Sequence, residues 1–62
     1  MNNELMEALN DDERQIIMLH AVCGFKHREI AELLNKPLST VLSKYRRGLK
    51  KLKDFYKKEG AL

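Results

Sequence analysis

The sequence predicts an all-α, compact four-helix domain, and three observations carry that expectation. No stretch alternates apolar and polar residues with period two, so no strand is expected. Apolar residues instead recur at helical spacing between sparse turn signals at Asn10-Asp11-Asp12, Gly24, Asn35 to Pro37, and Gly60. The third observation is size. A chain of 62 residues makes one small domain, 1–62, and buries only about 60% of its unfolded surface. That suffices for packed helices but leaves little room for a deep catalytic cleft.

A first short helix is expected at about residues 3–9, with Leu5 and Leu9 at i,i+4. The second spans about 12–23. Asn10 or Asp11 can cap it, and Asp12 and Glu13 sit in its first turn, where acids favour the helix dipole. Ile16, Leu19 and Cys23 share one face at ideal helical spacing, with Ile17 and Val22 beside them. Gly24 follows where a left-handed C-terminal cap belongs. The third helix, about 27–34, turns Ile30, Ala31, Leu33 and Leu34 inward. The fourth starts at Pro37, whose fixed φ suits a first helical position, and runs to about Lys58 before Gly60 ends it.

Composition narrows the function classes. Hydrophobic content of 44% beside 34% charged residues suits a soluble folded domain rather than a disordered one. No apolar run approaches the roughly 18–20 residues that cross a bilayer, and the N-terminus MNNELMEALNDDE lacks the pattern of a secretion signal. The single cysteine, Cys23, has no internal disulfide partner. A cytoplasmic location is the expectation.

Charge is more telling by position than by sum. The net charge is +3, yet residues 1–32 carry seven acids against three bases, and residues 33–62 carry nine bases against two acids. On a helical projection of the fourth helix, Leu38, Val41, Tyr45, Leu49, Leu52, Phe55 and Tyr56 fall on one stripe, with Gly48 in its midst. Ser39, Ser43, Arg46, Arg47, Lys50, Lys53 and Lys57 occupy the opposite face. A basic face on a helix pinned by its other side is the electrostatic footprint of a phosphate-binding surface.

Within about residues 27–46, HREIAELLNKPLSTVLSKYR has the spacing of a helix-turn-helix. Ala31 is small enough for two helices to approach. Four residues on, Asn35 takes a turn position that wants a left-handed backbone, which asparagine tolerates second only to glycine. Val41, six residues further, anchors the second helix on the first. The N-terminal turns of the fourth helix then project outward, toward a major groove.

From Leu9 to Leu52 the chain resembles region 4 of the sigma-70 family, especially the compact extracytoplasmic-function type. The residues that carry the resemblance are DDERQIIMLHAVCG, GFKHREIAELL and STVLSKYRRGLKKL. It implies a winged-helix-like, sigma region 4 type of fold. It also implies binding to the −35 promoter element in transcription initiation and docking on the beta flap of RNA polymerase, with an anti-sigma factor as a further partner. By position, the resemblance places Leu42, Ser43 and Arg46 at base edges, with Ser39 at the start of the same face. It places His27, Arg28, Thr40, Lys44 and Arg47 at phosphates, with Lys26 beside them and Lys50 adding charge. Arg46 is the strongest reading candidate, because a guanidinium bonds guanine bidentately.

Three positions depart from the family pattern. Leu42 stands where a basic residue is common, so readout there becomes apolar. Lys26 replaces the usual serine cap, and Arg28 replaces an acid, at the start of the third helix. Positive charge there opposes the helix dipole, an arrangement that makes sense if a phosphate sits on it.

Other chemistries find less support. His20, Cys23 and His27 form H-x2-C-x3-H, but no fourth ligand is evident and structural zinc wants four. No nucleophile and base converge, so neither an enzyme, a cofactor nor a small-molecule substrate is expected. Two alternatives to promoter recognition stay open. One is a protein-interaction module held by the polymerase flap or an anti-sigma factor. The other is the output domain of a LuxR-type regulator.

Overall fold

The computed structural model describes residues 7–58. Helix α1 spans Asp11–Ile17 and continues as a single π-helical turn, Met18–Val22. Helix α2 spans His27–Leu34 and α3 spans Leu38–Lys58. No strand occurs among the described residues. Most of the helix expected at about 3–9 lies outside them, but Leu9, at its end, is buried.

Helix α1 starts on a complete capping box. The Glu13 N–H donates to Asn10 Oδ1 at 2.9 Å, and the Asn10 N–H donates to Glu13 Oε1 at 3.1 Å. Two of the orphan donors of a helix start are thus satisfied reciprocally. Glu13 is also 1% exposed, a setting in which an unpaired carboxylate would be costly. The Lys51 ammonium of α3 answers it at 2.8 Å. Burial pushes the Glu13 carboxyl up, but the hydrogen bonds from Lys51 and Asn10 and the charges of Lys51 and Arg47 outweigh it and hold it below its usual value.

Beyond Ile17 the chain departs from its expected course. The Cys23 N–H bonds to the Met18 carbonyl at 3.1 Å, an i→i+5 step that widens the turn and shifts every later side chain around the axis. The face of Ile16, Leu19 and Cys23 expected from ideal spacing therefore breaks up. Ile16 is fully buried and Leu19 packs on the core, whereas Cys23 is exposed and Val22 is 77% exposed. Gly24 reverses the chain at φ +81° as expected.

Helix α2 closes on Asn35, in the left-handed region at φ 54°, ψ 48°. The Lys36 N–H reaches the Ala31 carbonyl at 2.9 Å and the Asn35 N–H reaches Glu32 at 3.2 Å, the paired bonds of a Schellman ending. Pro37 lies one residue before α3, and its carbonyl accepts from the Thr40 and Val41 N–H groups. So tight a connection leaves α2 and α3 little choice of relative direction.

The core is Ile16 from α1, Ile30 and Ala31 from α2, and Val41 from α3, with Leu19, Leu34 and Tyr45 packed around it. Leu33, expected inward, is 59% exposed, because its direction is about 100° from that shared by Ile30, Ala31 and Leu34. The α3 stripe is likewise narrower than expected. Val41 and Gly48 are buried along its centre, while Leu38, Leu49 and Tyr56, on one flank, are exposed. Gly48 marks the closest approach to α1, where a Cβ would clash with Ile17 Cδ1 and lie 3.5 Å from Glu13 Cβ.

Enlarging the α2–α3 contact tests this packing. Ala31→Leu is expected to lower stability by about 1–3 kcal/mol through overpacking, whereas Asn35→Gly, which keeps the left-handed turn open to the backbone, should be tolerated. Thermal melting distinguishes them; an Ala31→Leu midpoint equal to the parent's would overturn the register.

Candidate nucleic-acid interface

Burial of Val41 and Gly48 fixes the rotation of α3 about its axis and so determines what faces solvent. Arg46 lies about 140° from Val41, Lys50 about 180° and Ser43 about 200°. Ser39, Ser43, Arg46, Arg47, Lys50, Lys53 and Lys57 are all exposed. Ser43 and Arg46, one turn apart on the same side, form a continuous outward surface flanked by cations. Thr40 and Leu42 sit on the shoulders, half-buried.

The start of α2 contributes a second patch. Lys26 and Arg28 are exposed. The Glu29 carboxylate accepts the Lys26 N–H at 2.8 Å, but the Lys26 ammonium has no lone pair with which to cap the helix in return. The first-turn N–H groups therefore have no side-chain acceptor. Donors of this kind beside two cations suit an anion.

His27 is placed differently from Lys26 and Arg28. Its ring is turned into the junction of all three helices. It stacks on His20 at 4.2 Å between centroids and meets Tyr45 edge-on at 4.5 Å. The His20 Nδ1–H donates to the Phe25 carbonyl at 2.8 Å, which fixes that ring. His27 Nε2 is buried without a hydrogen-bond partner. Burial, and then the neighbouring His20, lower the His27 pKa, so the imidazole is a neutral packing group rather than a cation. Nor do His20, Cys23 and His27 gather as ligands: no cluster of three metal-binding side chains occurs among the described residues.

Lys44 is also not simply displayed. Its ammonium lies 3.0 Å from Asp12 Oδ2, and the same oxygen is 3.7 Å from the Lys36 ammonium. Those lysines hold the Asp12 carboxyl below its ordinary value, the Lys44 hydrogen bond most of all. The sequence places Asp12 in a helix start and Lys36 in a turn but names neither as a site residue. Lys36 follows the left-handed Asn35, and its place in the turn was the available signal. Nothing in the spacing indicated that α1 would bring Asp12 to it.

The family model described as Sigma-70, region 4 matches residues 3–52. No solved structure matches the chain at a significant level.

The histidine stack carries a pH dependence. His27 has a folded pKa below its unfolded value of about 6.5, so its contribution is complete above that value and is lost as pH falls through the folded one. Melting temperature should fall as pH drops from about 7.5 toward 5, before the Asp12 and Glu13 carboxylates begin to protonate at lower pH. His27→Phe, which keeps an aromatic ring in the stack but cannot titrate, should flatten that window. Parallel pH profiles for the two proteins would show that His27 does not carry it.

Proposed function

The chain belongs to the sigma-70 region 4 family, and from that premise we propose that its helix-turn-helix reads the −35 promoter element while another face engages RNA polymerase. The family is one of DNA binding and transcription initiation rather than of enzymes, so the chain is a DNA-binding part of a sigma factor. The observation that supports −35 reading is the exposed Ser43–Arg46 surface of α3, set opposite a fully buried Val41.

In this reading the roles follow exposure and chemistry. Arg46 reaches a guanine edge through its two-pronged donor set. Ser43 is short enough for the helix to seat deeply, and Ser39 and Leu42 border the same base pairs. Leu42, half-buried, offers a methyl contact instead of a charge. Arg47 and Lys50 meet phosphates on one side of the groove, with the Thr40 hydroxyl, while Lys26 and Arg28 meet them at the start of α2. His27 contributes its backbone N–H there, its ring being occupied in the core. Lys44 joins the phosphate contacts only by leaving Asp12.

Polymerase has a separate surface available. Leu9, Ile17, Met18, Val22, Leu52 and Tyr56, together with Arg14, line a mostly apolar groove between α1 and the far end of α3, and Met18 is 50% exposed. An exposed apolar patch with an adaptable methionine suits a partner protein. We assign it to the beta flap, and an anti-sigma factor would compete for it. No helix among the described residues is long and apolar enough to cross a membrane.

Arg46→Ala should cost about 1–3 kcal/mol on a −35-like duplex and little on scrambled DNA. Lys50→Ala should weaken both duplexes alike, because it acts through phosphates. Titrating the two variants on the two duplexes at fixed salt decides between them. If Arg46→Ala left the sequence preference intact, Arg46 would not be the reading residue; wild-type affinity insensitive to salt would argue for a protein-only module.

A further inference from the structure

Three carboxylates of α1 are tied to lysine or arginine side chains, and their settings are not alike. Asp11 and Arg14 pair locally within the helix at 2.8 Å, both largely in solvent. Glu13 and Lys51 pair at 2.8 Å with the carboxylate buried and bonded to Asn10, which makes that tie part of the core. Asp12 differs from both. It stands 42% exposed and collects two ammonium groups from separate parts of the helix-turn-helix, Lys36 in the turn and Lys44 in α3.

We infer that Asp12 is an internal phosphate surrogate that withholds Lys36 and Lys44 from DNA and so lowers the phosphate-driven part of the affinity for any sequence. The inference rests on the DNA-binding reading above and adds to it a residue that sets how strongly phosphates contribute. A carboxylate oxygen between two lysines presents them with what a phosphate oxygen would, an anion within hydrogen-bonding reach of Lys44 at 3.0 Å and within ion-pair distance of Lys36 at 3.7 Å. While it does so, neither lysine contributes its full charge to a passing duplex. Non-specific affinity grows with the number of phosphates neutralised, whereas base readout does not. Holding two cations back lowers the phosphate attraction and leaves base readout unchanged, so a larger share of the affinity that remains at the preferred site comes from sequence. The base-reading surface of Ser43 and Arg46 is untouched by the tie, because it lies on the far side of α3 from α1.

The partial exposure of Asp12 is what makes this tie releasable. Lys51 cannot leave Glu13 without stranding a buried charge, but Lys36 and Lys44 can exchange Asp12 for a phosphate and leave Asp12 in water. The exchange costs little because Asp12 stays hydrated, and that cost is subtracted from binding to every duplex alike. Asp12 is therefore a positioning residue for the two lysines and touches no base.

The test uses the whole chain and the variant Asp12→Asn, which keeps the Asn10–Glu13 capping box that starts α1. Asp12→Ser serves as a second variant, and melting confirms that each is folded. Affinity for a scrambled duplex should rise about tenfold at about 0.1 M salt, and the slope of log affinity against log salt should steepen by about one to two units, as two lysines become available to phosphates. Asp54→Asn is the control for net charge, because exposed Asp54 makes no ion pair among the described residues; it should leave the slope unchanged. Adding Lys36→Gln and Lys44→Gln to Asp12→Asn should abolish the gain. Retention on immobilised heparin, a polyanion without bases, gives a parallel reading and should increase for Asp12→Asn alone. Unchanged slope and unchanged heparin retention in Asp12→Asn, or the same rise in Asp54→Asn, overturn the inference. A heparin shift in a chain that binds no duplex upholds the Asp12 tie and overturns the DNA-binding reading instead.

Discussion

Val41 is the point on which the candidate interface turns. It is fully buried against Ile16, Ile30 and Ala31, and helical geometry then dictates that residues two, five and nine positions later face away from the core. Ser43, Arg46 and Lys50 owe their exposure to that one anchor rather than to any contact of their own. The anchor in turn depends on the turn before it. Asn35 in the left-handed region, two Schellman hydrogen bonds and Pro37 deliver Val41 onto Ala31 with few degrees of freedom left. A chain of this size has a core of only a handful of side chains, so such local determination substitutes for the bulk of a larger domain.

Electrostatics does the remaining work of orientation, and it is divided by depth. Glu13 is buried, so its tie to Lys51 is held by the cost of leaving a carboxylate unpaired. Asp12, one residue earlier and partly in solvent, makes ties that cost little to break. Both acids reach the same flank of α3, and both occupy the first turn of α1, where negative charge also favours the helix dipole. Part of the acidic N-terminal half thus meets part of the basic C-terminal half in one contact, Asp12 and Glu13 against Lys36, Lys44 and Lys51. The excess of cations left after that contact faces outward from α3.

How much of this was legible in the sequence depended on whether a single position or a pairing decided it. Asn35, Gly24, Ala31 and Val41 were readable because each is dictated by its own backbone or its own size. The opposite faces of α3 were readable because an unbroken 21-residue helix keeps its period. The π turn at Met18–Val22 was not, since an i→i+5 bond leaves no mark on the pattern of residue types, and ideal spacing therefore puts Val22 and Cys23 with the buried face although both are exposed. Leu33 was misplaced for a different reason: it is apolar but lies about 100° around α2 from the direction shared by Ile30, Ala31 and Leu34, off the face that meets the core. The family resemblance places His27 at a phosphate, but the His20 ring that stacks on it arrives through the same π turn.

The two surfaces assigned here lie on opposite sides of α3, and that arrangement bears on how so small a domain could act. The axis through Val41, Gly48 and Leu52 separates the basic outward face from the groove that Leu52 and Tyr56 share with α1. On the proposed reading, DNA and polymerase can therefore be engaged together without competing for side chains. A single recognition helix offers few base contacts, and its phosphate attraction weakens as salt rises. Attachment to a polymerase that also holds the promoter elsewhere converts the second encounter into an intramolecular one, with an effective concentration on the order of millimolar for a short linkage. Weak intrinsic affinity is then an advantage, because occupancy is set by the assembly while sequence preference stays with Arg46 and its neighbours. A carboxylate that holds two lysines back fits that logic: it sacrifices attraction that the assembly supplies anyway and spares the contacts that distinguish one sequence from another.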